Sequence, residues 1–247
     1  MQTIFDEIDR LKQEFDVCKS SSFEAVKKLK GVYRVEWTYH SNAIEGNTLT
    51  LQETKAVLEG QTIERKTWRE HLEIINHSEA IDYVEEIVEK EIPLSEKVIK
   101  DLHSLILRNI DDRNRGRYRT INVHIAGSQH KPIHHLKVPE NIEAMLSWFN
   151  QEQNRLHPVE LAAVLHFKFV YIHPFVDGNG RTARLLMNMV LMQKGYPPVI
   201  LKSDPSAKVA YYQALEKASI TGELTPLILI IAKEEKESLT RFLHILN

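Results

Sequence analysis

A mainly α-helical chain with one extended insert is what this sequence predicts. Only 9 Gly and 9 Pro interrupt its 247 residues, apolar residues recur at helical spacing over long stretches, and helix start and stop signals are frequent. Helices are expected at about 4–17, 22–44, 51–59, 67–90, 96–109, 140–152, 158–172, 181–194, 206–218 and 224–245.

Taken in order, the first of these begins at MQTIFDEIDRLKQEF, charged throughout and unlike a secretory leader. Ser21 with Glu24 has capping-box spacing before the second helix, and Gly46 stands where that helix should stop. Thr50 with Glu53 repeats the box before the third, which Gly60 closes. The charge alternation from Glu85 to Glu91 reads as a solvated helix face. After the fifth helix, Arg115 to Lys137 breaks the pattern: Tyr118, Thr120, Ile121, Val123 and Ile125 favour extended structure, and Gly127 and Ser128 favour a turn. A β-hairpin inserted among helices is the expectation there. Leu161, Leu165, Phe169 and Ile172 share one face of the helix over 158–172. The helix over 181–194 is apolar nearly all round after Arg184, as a helix buried on every side would be, and Gly195 ends it. Residues 221–247 read as a closing helix.

Composition narrows the function classes. Hydrophobic residues at 43% suffice for a real core, and a formal charge of −2 argues against nucleic acid or an anionic membrane surface as partner. Leu227 to Ala232, the longest apolar run, is far too short for a bilayer span. A single cysteine, Cys18, excludes an internal disulfide framework and suits a reducing compartment. A cytoplasmic location is the default expectation.

Between the two central helices lies HPFVDGNGRTAR, residues 173–184. Gly178 and Gly180 flank Asn179, a turn that can bring bare backbone close to a ligand. Feeding straight into a helix, such a turn aims amide N–H groups and the positive helix end at one spot, an anion site. Arg181 and Arg184 are three apart in what reads as the first turn, where the helix dipole disfavours arginine but a polyphosphate would reward it. Asp177 would repel an anion unless a cation came with it, and one carboxylate plus phosphate oxygens is a usual Mg²⁺ environment. His173 is placed to remove a proton from an attacking hydroxyl. Phe175 reads as the anchor of the loop in the core. No Walker P-loop occurs.

HPFVDGNGRTAR matches every fixed position of the Fic family signature, H-x-F-x-[DE]-G-N-G-R-x-x-R, and the resemblance extends over about residues 95–220 through the preceding helix, the insert and the YYQAL segment. It implies an all-α Fic fold, a helical bundle around a central helix–loop–helix with a β-hairpin flap over the active site. It divides the chain into an N-terminal helical region (1–94), a catalytic core (95–220) and a C-terminal helix (221–247). The reaction it implies is adenylyl transfer: AMP moves from ATP to a Ser, Thr or Tyr hydroxyl of a target protein. By the resemblance His173 is the base and Asp177 holds Mg²⁺. Gly178, Asn179 and Gly180 cradle the phosphates, and Arg181 and Arg184 bind the β- and γ-phosphates. Tyr211 or Tyr212 flanks the adenine, unless both are core aromatics. Gly180 stands where the phosphotransferase branch has lysine, which favours AMP transfer.

A second motif occupies residues 41–46, SNAIEG. Ser41 and Glu45 are four apart on one helix face, and a glutamate in a last turn calls for a cationic partner. The segment resembles the family's inhibitory motif, [ST]-x-x-x-E-[GN], in the class with an N-terminal inhibitory helix. That resemblance pairs Glu45 with Arg184 and implies autoinhibition. Asn122, Val123, His124 and Ile125 are expected to dock the target as an added strand. His124, His130, His134 and His135 read as polar loop residues rather than a metal site, having no regular ligand spacing. Two other classes stand beside adenylyl transfer: a de-AMPylase or transferase of another nucleotide, and a non-catalytic module that keeps the fold. A homodimer suits the class, although the sequence marks no interface.

Overall fold

The computed structural model describes residues 1–19 and 23–246. Among them are ten α-helices: α1 (Gln2–Lys19), α2 (Phe23–Ile44), α3 (Leu51–Leu58), α4 (Trp68–Glu89), α5 (Glu96–Ile106), α6 (Val138–Glu152), α7 (Pro158–Ile172), α8 (Asn179–Gln193), α9 (Pro205–Thr221) and α10 (Thr225–Leu246). All ten expected helices are present, most with ends within two residues. Thr50 and Glu53 form the capping box that opens α3, and Thr67 with Glu70 forms another on α4. The box expected from Ser21 and Glu24 lies outside the described residues. Gly46, Gly60 and Gly195 all have positive φ just past helix ends.

α7 and α8 are the centre, packed against each other, with α6, α9 and α10 against α7 and α2, α4 and α5 against α8. Leu161, Leu165, Phe169 and Ile172 are buried on α7, and every residue of α8 from Arg181 to Leu191 is buried. The site sits between these two helices, so its frame is the best-packed part of the molecule.

Three expectations need correction. α5 ends at Ile106, three residues early, and the chain reverses through Asn109 at φ 61°. α8 begins at Asn179, two residues early, with Gly178 as its N-cap, so Arg181 lies in the first turn and Arg184 in the second. The β-hairpin is absent: among the described residues no strand occurs, and 117–134 runs as an irregular loop. The reason is a side chain. Arg119, 3% exposed, donates from Nη1 to the Ile121 carbonyl (2.9 Å) and from Nη2 to the Ile133 carbonyl, clamping both limbs where a ladder would have done so. Asn122 Oδ1 accepts from the His135 amide (3.0 Å), and Pro132 has no amide hydrogen to give a ladder. Beyond the turn closed by Ser128 N–H to Ile125 O (3.2 Å), Glu216 of α9 takes Ser128 Oγ and the Gln129 amide (2.7 Å).

Candidate active site at the α7–α8 junction

α7 ends on His173, whose φ of 50° is left-handed and turns the chain sharply. A non-glycine residue there costs on the order of 1 kcal/mol and persists only where neighbours impose it. Arg119 imposes it: its Nε donates to the His173 carbonyl (2.8 Å) and its amide to the Pro174 carbonyl (3.0 Å). Burial pushes the His173 imidazole down to about 4, partly offset by the nearby Val170 carbonyl, so the ring is neutral at pH 7. A free imidazole titrates near neutrality, and desolvation moves this one well below that.

Phe175 is fully buried, as expected, and its ring lies flat on His103 at 3.5 Å. His103 has a structural role that no sequence signal announced. Its Nδ1 accepts from the Gly116 amide (2.9 Å), which leaves Nε2 protonated to donate to the Asp177 carbonyl (2.9 Å). Gly178, at φ 76°, closes against the same ring, where an added Cβ would meet His103 at 3.3 Å. Asn179 uses its side chain on the backbone of Phe175, accepting from its amide and donating to its carbonyl (2.9 Å each). Its contribution to an anion is therefore its main-chain amide. The amides of Asn179, Gly180 and Arg181 have no acceptor among the described residues, and α8 has no side-chain cap. Three such amides at one helix start leave room for an anion there.

Carboxylates already balance both arginines. Arg181, 2% exposed, faces Glu73 (3.5 Å) and Asp177 (3.3 Å). Asp177 also accepts from the Gly178 amide (2.6 Å) and from Arg69 of α4 (2.6 Å). Burial alone would raise its pKa, yet Arg181, the Gly178 amide and Arg69 together hold it below the usual value, so it is ionised. Arg184, also 2% exposed, donates from Nε to Ser41 Oγ (3.0 Å), and from Nη2 to the Ser41 carbonyl and Glu45 Oε1 (2.8 Å each). The expected Glu45–Arg184 pair is present, with Ser41 as a third partner. Glu45 also exerts its charge on His173, so imidazole, arginine and glutamate lie in one region. Gly46 ends this segment at φ 99°.

Tyr211 and Tyr212 part company. Tyr211 is 3% exposed and shares a hydrogen bond with His166 (3.0 Å). Tyr212 is 43% exposed and donates to the Ile44 carbonyl (3.1 Å) at the end of α2. Of the two, only Tyr212 offers an accessible ring face. In the loop, Asn122 and His124 are exposed, Val123 and Ile125 half-buried. The main-chain groups of Asn122 to His124 make no backbone hydrogen bond among the described residues. Arg69, Glu73, His103 and Arg119 are the site residues that sequence reasoning missed.

Comparison with known proteins agrees with this geometry. Residues 93–191 match the Fic/DOC family. The chain is 36% identical to "Protein adenylyltransferase Fic" of Nematostella vectensis over 98% of its own length and 56% of that protein's. It superposes on the solved structure of Fic-1 from C. elegans with TM-score 0.88 at 34% identity, covering 98% of this chain and 72% of that one. A Fic-domain signaling protein from Bacteroides thetaiotaomicron gives TM-score 0.88 at 29% identity, covering 97% of each chain. The chain spans about half the length of the curated relatives it matches. With the full signature at the α7–α8 junction and this likeness over nearly all of its residues, the chain belongs to the Fic/DOC family.

Proposed function

We propose that the chain transfers the AMP moiety of Mg·ATP to a Ser, Thr or Tyr hydroxyl of a target protein, and that Glu45 holds it inhibited. The observation that carries this reading is the convergence at one helix junction of a neutral, half-buried imidazole, three amides without an acceptor among the described residues and two buried arginines. The target oxygen bonds to the α-phosphorus while its proton passes to His173. The bond to the β-phosphate oxygen breaks, and pyrophosphate leaves. The polyphosphate's negative charge beside His173 raises the basicity that burial depresses. The amides of Asn179, Gly180 and Arg181 receive phosphate oxygens, and Arg181 and Arg184 pair with the β- and γ-phosphates. Asp177, one ionised carboxylate beside an anion site, fits Mg²⁺ arriving with the nucleotide, and would hold it there. When bound, the cation neutralises phosphate charge.

Inhibition follows from charge and placement. Glu45 occupies Arg184 and puts an anion where the γ-phosphate must lie. A triphosphate bent aside by about 1 Å loses on the order of 100-fold in rate. Removing the carboxylate by Glu45→Gly is expected to raise transfer of α-labelled AMP by about that factor. His173→Ala in the same background should abolish it. Equal labelling by all three proteins overturns the reading.

One observation favours a second role for Glu45. Its carboxylate pairs with Arg184 and acts electrostatically on His173, which supports a role in aligning a water that removes AMP from a modified target. AMP release from a pre-modified target, lost on Glu45→Gly, is the measurement. The unpaired main chain of Asn122–His124 supports strand addition by the target beside His173.

A further inference from the structure

We propose that Arg69 competes with the divalent cation for Asp177, so that the first turn of α4 sets how much Mg²⁺ the site requires. The proposal rests on the Mg·nucleotide reading above and adds to Glu45 a second, separate ionic restraint.

Four charged side chains close a ring beside the anion site. Arg69 donates from Nη2 to Asp177 Oδ2 (2.6 Å) and from Nε to Glu73 Oε1 (3.1 Å). Arg181 completes the ring, with Nη2 at Asp177 Oδ1 (3.3 Å) and Nη1 at Glu73 Oε1 (3.5 Å). The two oxygens of Asp177 differ in use. Oδ1 accepts from the Gly178 amide and Arg181, whereas Arg69 is the only donor to Oδ2 among the described residues. Oδ2 is therefore the oxygen a cation would take, and the group to be displaced is a guanidinium. Like charge makes the exchange competitive: metal and arginine cannot both sit at 2–3 Å from one oxygen without repulsion.

Stability does not account for Arg69. It is the second residue of α4, where the helix dipole opposes a cation, and its side chain is 57% exposed. Its partner Asp177 lies 108 residues away at the catalytic turn. Glu73 is the more buried anchor (14% exposed), and its Oε2 accepts from Asn47 Nδ2 (2.9 Å), the residue after the Ser41–Gly46 motif. The α4 turn thus touches the metal carboxylate on one side and the end of the Glu45 segment on the other. Glu45 acts as an anion against the γ-phosphate; Arg69 acts as a cation against the metal.

The test measures ADP binding by calorimetry across a MgCl₂ titration, in the Glu45→Gly protein so that the other restraint is absent. Arg69→Ala is expected to lower the Mg²⁺ midpoint by about three- to tenfold, the effect of removing one half-exposed competing charge. ADP affinity without Mg²⁺ should stay the same, and Arg69→Lys should keep a midpoint near the parent's. With Asp177→Asn present, Arg69→Ala should change nothing. An unchanged midpoint overturns the proposal, as does ADP binding weakened equally with and without Mg²⁺, which would make Arg69 a phosphate ligand. Failure of every variant, and of the parent, to bind ADP removes the nucleotide reading itself and the proposal with it.

Discussion

At Gly180 a missing side chain decides how two others meet. An added Cβ would occupy the place of Glu45 Oε1 and lie 3.1 Å from Arg184 Nη1, so the Glu45 carboxylate rests on bare backbone. The position is helical with an ordinary φ, so alanine suits its backbone and gains up to about 1 kcal/mol in helix propensity. The atoms it displaces are side-chain ends. Gly180→Ala is therefore expected to change the melting temperature little, the helix gain offsetting a loosened Glu45–Arg184 pair, while lowering AMP transfer even in the Glu45→Gly background, because its methyl stands in the γ-phosphate's proposed place. In the Gly180→Ala background, Glu45→Gly should add little further activity. A full increase in that double variant would mean that the methyl leaves the γ-phosphate's place open. The sequence shows Gly180 as part of a turn, and the family resemblance makes it a mark of AMP transfer. Its role under Glu45 was not legible, because the two are 135 residues apart and only folding brings them together.

Among the elements, the helices were legible and the insert was not. Apolar spacing and capping boxes report on neighbours three and four residues apart, which is why α3, α4 and α7 were found nearly at their true ends. Residues 117–134 carry strand-forming types, but their conformation is set by Arg119, whose bonds reach Ile133 and His173, contacts that no local pattern encodes. The same limit hid His103 and Glu73, ordinary helix residues until α5 and α4 are packed on α8. The signature residues stood out because a glycine turn, an acid, a base and two arginines fall within twelve residues. Arg119→Ala leaves the carbonyls of exposed Ile121 and of half-buried Ile133 and His173 each one donor short. At roughly 0.5–1 kcal/mol for each, since water can reach them in part, the cost should reach about 2 kcal/mol, read as a lower denaturant midpoint. Hydrogen exchange over 120–134 should accelerate more than in the body of α7, which meets this arginine only at its C-cap His173. Uniform acceleration through both would mean the loop is held by other contacts.

Across the whole molecule, buried ionisable groups that are neutral in the fold tie stability to pH with two opposite signs. His77 and His166 are wholly buried beside Arg184, and burial first, then that guanidinium, pushes His77 far down and His166 to about 3. Below about pH 6.5 the unfolded chain binds protons on them that the fold does not, so acid removes stability down to the folded values. Glu235 works the other way. It is buried between α10 and α1 with neither oxygen hydrogen-bonded, and burial raises its pKa well above the ordinary value despite Lys12 nearby. The fold keeps its proton while the unfolded chain loses it above about pH 4.5, so stability falls as pH rises through and beyond that point. Glu235→Gln replaces the neutral acid with a neutral side chain of the same shape, which separates this effect from the histidines. Near pH 4.5 the variant and the parent should be about equally stable. As pH rises the variant should gain, at up to about 1.4 kcal/mol per pH unit, until the folded glutamate itself ionises. Denaturant unfolding of both proteins at pH 5, 6, 7 and 8 measures the difference directly. A constant offset at all four values would mean that Glu235 titrates alike folded and unfolded, leaving the histidines alone to shape the acid side of the curve.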